Sequence, residues 1–337
     1  MSPLRIEPLA TTGIGSLPHA QVEPALAQAF SVDIPYLPQL PRRDPAETMV
    51  FQTLDGLPGL RRGEDGRCTV RLDLWRREVA AFGRKLDRAL SRREPSPFEP
   101  QVGSWRAWRP FLAELSSREV RLAKAQVCGP VTCLWSLRLD DGRPAAAEPD
   151  LARQIVSMVL ARALALTRAV SAAGAAPIVF LDEPGLVSLD PRNPQHGLRL
   201  SELRRVTGAL SKEGARVGIH CCGGTLGSVL LSLGAAYLSF DARLSLAALL
   251  AEKAAFAKFL EEGGRLALGI TAADGGAAAG HEILAALGAA DPDEKVLGQC
   301  LLTPACGLAS GSPAESQRAF ADLDAARTVL RGALGPR

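Results

Sequence analysis

The run Ile219-His220-Cys221-Cys222-Gly223-Gly224 sets an imidazole and a thiol two residues apart at the end of an apolar stretch, and Thr303-Pro304-Ala305-Cys306-Gly307 supplies another thiol some 80 residues later. In extended chain, alternate side chains share a face, so His220 and Cys222 point one way and Cys221 the other. Imidazole nitrogen and cysteine sulfur are the donors that tetrahedral zinc takes, and a catalytic zinc keeps one position open. His220, Cys222 and Cys306 are therefore candidate Zn2+ ligands with room for one incoming group. Asp241, which ends the run Tyr237-Leu238-Ser239-Phe240, is a candidate fourth ligand or an acceptor for the His220 ring; a helix cap is the other use for it. Without a metal, the same residues would read as a buried strand end with small apolar cysteines.

The elements that must position these residues follow from the patterning. Short apolar runs alternate with longer Ala/Leu/Arg-rich segments of helical spacing, the signature of βα units and a parallel sheet. Strands are expected to end near Ile14, Pro38, Val127, Leu181, His220, Asp241, Thr271 and Thr303, with helices at 20–30, 75–92, 148–173, 199–213, 243–262, 277–287 and 313–332. The last helix opens with a Ser312-Pro313 cap and first-turn proline. This count implies an α/β chain forming a single (β/α)8 TIM barrel over 1–337, with an inserted helical lobe around 55–122 reaching over the mouth. Chemistry in that fold sits at the C-terminal ends of the strands. Ser16, Asp182, Glu183, His220, Cys222, Asp241 and Cys306 all fall there.

Composition excludes several classes. The 39 basic and 36 acidic residues leave a net charge of +3, too little for a long-range field toward nucleic acid or an anionic membrane. No apolar run is expected to reach the roughly 18 residues that a membrane span needs, and Met1-Ser2-Pro3-Leu4-Arg5-Ile6-Glu7 lacks the order of a signal peptide, so a cytoplasmic protein is expected. Seven cysteines, an odd number, argue for reduced thiols rather than a disulfide framework. The arginine pairs at 42–43, 61–62, 76–77 and 92–93 read as solvated helix faces or as a surface for an acidic partner.

Five segments together carry a family resemblance: Thr11-Thr12-Gly13-Ile14-Gly15-Ser16-Leu17-Pro18, Cys128-Gly129-Pro130-Val131-Thr132, Leu181-Asp182-Glu183-Pro184-Gly185-Leu186, His220-Cys221-Cys222 and Cys306-Gly307-Leu308. In order and spacing, from about residue 8 to 330, the chain resembles the catalytic half of cobalamin-independent methionine synthase, a short core form within the group that includes uroporphyrinogen decarboxylase. The resemblance implies a zinc-dependent thiol methyltransferase acting on homocysteine, with zinc on His220, Cys222 and Cys306 and with Asp241 where the family usually has Glu. It further implies that the Ile14-Gly15-Ser16 turn meets the acceptor's carboxylate and that Asp182 pairs with its ammonium group. Glu47 is implied as a second acidic contact, and Trp135 stands one residue out of register from the family's folate-stacking aromatic.

Folate-using members carry a histidine after the strand that matches Leu266-Ala267-Leu268-Gly269-Ile270-Thr271, whereas Ala272-Ala273-Asp274-Gly275 follows here. Methyltetrahydrofolate is a tertiary amine whose departure needs a proton; Asp274 or His281 would have to supply it. A methylcorrinoid needs none, because cobalt leaves with the electron pair. A methylated corrinoid protein or free methylcobalamin is therefore the expected donor, with methyltetrahydrofolate second. Two other readings stand beside this one: a uroporphyrinogen-decarboxylase-like lyase, which would need arginines where Gly15-Ser16-Leu17-Pro18-His19 lies, and a non-catalytic zinc- or thiol-binding barrel. Another thiol such as coenzyme M is a weaker acceptor, since a sulfonate offers Asp182 no cation.

Overall fold

The computed structural model describes residues 6–63, 66–271, 275–288 and 294–334. Asp274 and residues 1–5 of the N-terminal segment lie outside the described residues. Ten strands run in chain order as β1 (Ala10–Thr11), β2 (Leu60–Arg62), β3 (Cys68–Val70), β4 (Leu122–Cys128), β5 (Arg138–Leu139), β6 (Ala176–Asp182), β7 (Arg216–Cys221), β8 (Tyr237–Asp241), β9 (Arg265–Ile270) and β10 (Cys300–Pro304). Seven of them form one parallel sheet in the order β1-β10-β9-β8-β7-β6-β4, and β2-β3-β5 make a small separate sheet.

Eight strands were expected and seven are regular, and the difference lies at the segment 34–40. Lys124 N donates to Pro35 O at 2.8 Å and Leu37 N to Lys124 O at 2.9 Å on the β4 side. On the β1 side Ile34 N donates to Thr11 O at 3.0 Å, and Gln39 exchanges bonds with Gly15 and Leu17. The segment thus bonds toward both edges of the sheet, but only as isolated parallel bridges. Pro35 and Pro38 explain this, since each removes a donor that a regular ladder requires.

The strands bury both faces, as parallel strands between helices do. One parity faces an outer layer shared with the helices: Val127, Val179, Leu181, Ile219, Cys221, Leu238, Phe240, Leu266, Leu268 and Leu302 belong to the main core. The other parity forms a smaller cluster of its own, with Ala10, Ile178, Phe180, Tyr237, Ala267 and Leu301. Gly218 makes that inner cluster possible, because a Cβ there would lie 2.5 Å from the Phe180 ring. Toward the strand C-termini the inner parity turns polar: Gln126, Asp182, His220, Ser239 and Thr303 continue the same face and are all buried.

The expected helices are present at Val22–Ala29, Leu72–Ser91, Pro149–Ala172, Pro194–Lys212, Gly276–Gly288 and Pro313–Gly332, while 243–262 divides into Ala242–Ala251 and Lys253–Glu261. Ser312 and Glu315 form a capping box around the first turn of the last helix. One expectation is corrected: Pro149–Ala172 is long and apolar enough to cross a membrane, and its 24 residues were not singled out as such a run. Its most apolar window is 72% buried within this fold.

The lobe at 55–122 is not purely helical, because the β2–β3 hairpin precedes the helix Leu72–Ser91. It is anchored on the helix Pro149–Ala172 and, through the pairing of β3 with β5, on the connection that follows β4. Trp75 Nε1 donates to Gln154 Oε1 at 2.9 Å, and the buried Arg162 donates to Phe98 O at 2.7 Å, Glu99 O at 3.2 Å, Thr53 O at 3.3 Å and Asp55 O.

Candidate metal centre

β7 delivers His220 to the inner face at the mouth, and Gly223 lets the chain turn away immediately after Cys222, since a Cβ there would meet Val187 at 2.3 Å. Cys221 points the other way, into the outer core, with its sulfur 3.1 Å from Thr225 Oγ1. β10 delivers Cys306 from the far side of the sequence. Its thiol lies close enough to Cys222 and His220 for both to act on its ionisation. The two thiols titrate as a pair: the contact with Cys222, and then that with His220, pulls Cys306 down, while the contact with Cys306 and burial push Cys222 up. Among the described residues no group of three or more His, Cys, Asp or Glu side chains is placed so that it could hold a metal ion; Cys306 approaches Cys222 and His220 one at a time.

The imidazole is held from behind. Asp182, His220 and Ser239 are in register across β6, β7 and β8, and His220 Nδ1 lies 2.9 Å from Ser239 Oγ. A partner on one ring nitrogen fixes the ring and leaves the other for a ligand bond. The expected role of Asp241 as that partner is corrected: Oδ1 caps the helix Ala242–Ala251 through Arg243 N at 2.9 Å, and Oδ2 accepts from Thr271 Oγ1 at 2.8 Å. Both oxygens are thus engaged away from His220.

Asp182 lies close enough to Lys124, His220 and Cys306 to feel their charges, and burial raises it to about 6 against the pull of Lys124 and His220. Its Oδ1 is buried without a hydrogen-bond partner, and so is Thr303 Oγ1 on the same inner face. Buried polar atoms left without a protein partner are uncommon and costly. Glu183, by contrast, is fully used: it accepts from Val131 N at 2.9 Å, Thr132 N at 2.7 Å and Thr132 Oγ1 at 2.6 Å, which holds the short helix Pro130–Ser136 onto β6. Burial raises Glu183 to about 7 despite these bonds.

The Ile14-Gly15-Ser16 turn joins this layer. Ile14 O accepts from Lys124 Nζ at 2.6 Å, and Gly15, at φ +153°, leaves no space for a side chain against Gln126. Ser16 O accepts from Leu308 N at 2.9 Å, and Gly307 packs on the Ser16 hydroxyl so closely that a Cβ would lie 2.1 Å from it. The turn and the Cys306 loop are therefore locked together.

Two expected contacts are placed elsewhere. Glu47 is buried, but it accepts from Leu40 N at 2.8 Å and pairs with Arg106 at 3.3 Å, with no bond to the residues above. Trp135 is about half exposed and stands edge-on to His196, 6.5 Å between centroids, in a cleft with Leu134, Leu189 and Arg199. His281 is exposed on the helix Gly276–Gly288. Of the arginine pairs, Arg42 and Arg43 bond to the carbonyls of Gly311 and Ala20, and Arg62, Arg76 and Arg93 pair with Asp44, Glu148 and Glu213.

Sequence reasoning missed Lys124, Gln126, Ser239 and Thr303. The signal was there: Lys124 and Gln126 alternate inside the otherwise apolar strand Leu122–Cys128, and Ser239 shares parity with Asp241.

No protein-family model matches the chain, and no curated protein matches it in sequence. Among solved structures, it is similar to a B12-independent methionine synthase from Shewanella sp. W3-18-1 in complex with selenomethionine, at 17% identity and a TM-score of 0.46, over 66% of this chain and 67% of that one.

Proposed function

We propose that this protein is a zinc-dependent thiol methyltransferase whose acceptor is an amino-acid thiol, homocysteine, and whose donor is a methylcorrinoid. The observation that carries the reading is that Cys306 comes close enough to Cys222 and His220 for both to pull its pKa down, although more than 80 residues separate it from either along the chain. An imidazole oriented by Ser239 and two thiols are the donor set that zinc takes, with a fourth position left for an incoming sulfur. Asp241 stays a helix cap in this reading. We infer also that the segment 34–40 completes an eight-membered (β/α)8 ring, supported by its bonds toward both β1 and β4.

A bound zinc would supply the Lewis acidity that strips the proton from a thiol at neutral pH, where a free thiol of pKa about 8.5 is mostly protonated. The chain's own residues do the rest. His220, Cys222 and Cys306 hold the ion. Asp182 takes the acceptor's ammonium on its orphaned oxygen, and the Ile14-Gly15-Ser16 turn takes the carboxylate. Held at both ends, the acceptor presents its sulfur to the donor in a fixed line, and orientation of this kind lowers barriers substantially. Transfer forms one carbon–sulfur bond and breaks one carbon–cobalt bond, whose electron pair stays on cobalt, so no acid is required from the chain.

Methyl transfer to homocysteine is assayed with methylcobalamin and with methyltetrahydrofolate, using zinc-loaded protein. Turnover with methylcobalamin is expected. Turnover with methyltetrahydrofolate alone would remove the corrinoid donor, and zinc binding without transfer from either donor would favour a non-catalytic thiol-binding barrel.

A further inference from the structure

Lys124 is a lysine with 1% of its surface exposed, on the inner face of β4, two inner-facing positions before the row of Cys128, Asp182 and His220. Its ammonium donates to Ile14 O at 2.6 Å and to Gln126 Oε1 at 3.1 Å, and it sits 4.9 Å from the centroid of the Phe180 ring. Gln126 in turn donates to Leu37 O at 2.8 Å. Asp182 is the acidic group whose charge Lys124 feels, yet the two form no ion pair within contact distance. A buried cation and a buried anion held apart are costly unless something with matching charges completes them.

We propose that Lys124 is a specificity-determining residue of the acceptor site: with Asp182 it makes a fixed pair of opposite poles that selects a zwitterionic amino-acid thiol over thiols lacking the carboxylate. This rests on the reading of the site as an amino-acid thiol site. Lys124 acts through the Ile14-Gly15-Ser16 turn. Its two hydrogen bonds fix Ile14 and the Gln126 amide on which Gly15 packs, and its charge lies directly beneath the turn that receives the carboxylate. Asp182 serves the ammonium at the other end. The sequence resemblance assigned the carboxylate to the turn alone; the lysine supplies the counter-charge that neutral backbone donors lack.

The test is calorimetric binding to the full-length, zinc-loaded protein of methionine and of its decarboxylated analogue 3-(methylthio)propylamine, which carry no thiol to compete for the metal. In the unsubstituted protein the analogue should bind at least about tenfold more weakly than methionine, the scale of a lost charge-assisted contact. In Lys124→Met the two should bind within about twofold of each other, with the amine little changed. A Lys124 that only buttresses the fold would weaken both ligands equally, and that result overturns the proposal. Should the variant fail to fold, equal binding of the two ligands by the unsubstituted protein overturns it as well. Methyl transfer is scored separately: its absence while methionine is still preferred removes the proposed reaction and leaves the zwitterion selectivity standing.

Discussion

Ser239 and His220 stand opposite one another on neighbouring strands, and the hydroxyl of the first lies 2.9 Å from Nδ1 of the second. A ligating imidazole loses affinity when its outer partner is removed, typically by about 10–100-fold. Ser239→Ala should weaken zinc binding by that factor, measured by competition with a chromogenic chelator. Asp241→Ala should leave zinc affinity unchanged and cost about 1 kcal/mol of stability, because the structure commits Asp241 to the cap of Ala242–Ala251. The reverse pattern would make Asp241 the ligand.

Glu183 gives a pH signature. It is fully buried and raised to about 7 from an ordinary value of 4.5, so the folded chain holds this proton more tightly than the unfolded chain. Stability from this group is present below the unfolded value and is lost as pH rises through about 7, by roughly 3 kcal/mol in total. Glu183→Gln should flatten that part of the stability–pH curve measured by urea denaturation between pH 4.5 and 7.5. An unchanged slope would show that the carboxylate is ionised throughout.

Gly15 tests the turn. Its φ of +153° and a would-be Cβ only 2.5 Å from Gln126 Nε2 allow no side chain. Gly15→Ala should cost about 1–3 kcal/mol by denaturant unfolding and weaken methionine binding by at least about tenfold. Full stability with intact binding would place the turn outside the acceptor site.

Arg162 tests how the lobe is attached. Its guanidinium satisfies four carbonyls of the segments 53–55 and 98–99 from within Pro149–Ala172, and burial lowers it to about 10. Arg162→Leu should destabilise the protein by about 3 kcal/mol or more, since each abandoned buried acceptor carries its own desolvation cost. Proteolysis should then cut first within 55–121.

Much of this architecture was legible from the chain. Strand ends near Val127, Leu181, His220, Asp241 and Thr303 fall within one residue of the observed ends, because continuous apolar runs bounded by turns leave little choice. That Cys306 should approach Cys222 and His220 follows from the fold class, as parallel strands bring their C-terminal ends to one mouth. Segment 34–40 was only half legible: its prolines allow the path of a strand but not its ladder. Glu47 misled because a buried carboxylate reads the same in sequence whether it meets a ligand or Arg106 and Leu40 N. Lys124 was passed over because one cation within an apolar run can equally end a strand at an exposed edge, and its burial depends on the neighbours Ile14 and Gln126.

The most direct test is the zinc K-edge spectrum, with metal content, of zinc-loaded protein before and after homocysteine. The account predicts about one zinc per chain with two sulfurs and one imidazole nitrogen, gaining a third sulfur on addition of the thiol, and loss of zinc in Cys306→Ser. Zinc held equally well by Cys306→Ser, or a spectrum that homocysteine leaves unchanged, would contradict it.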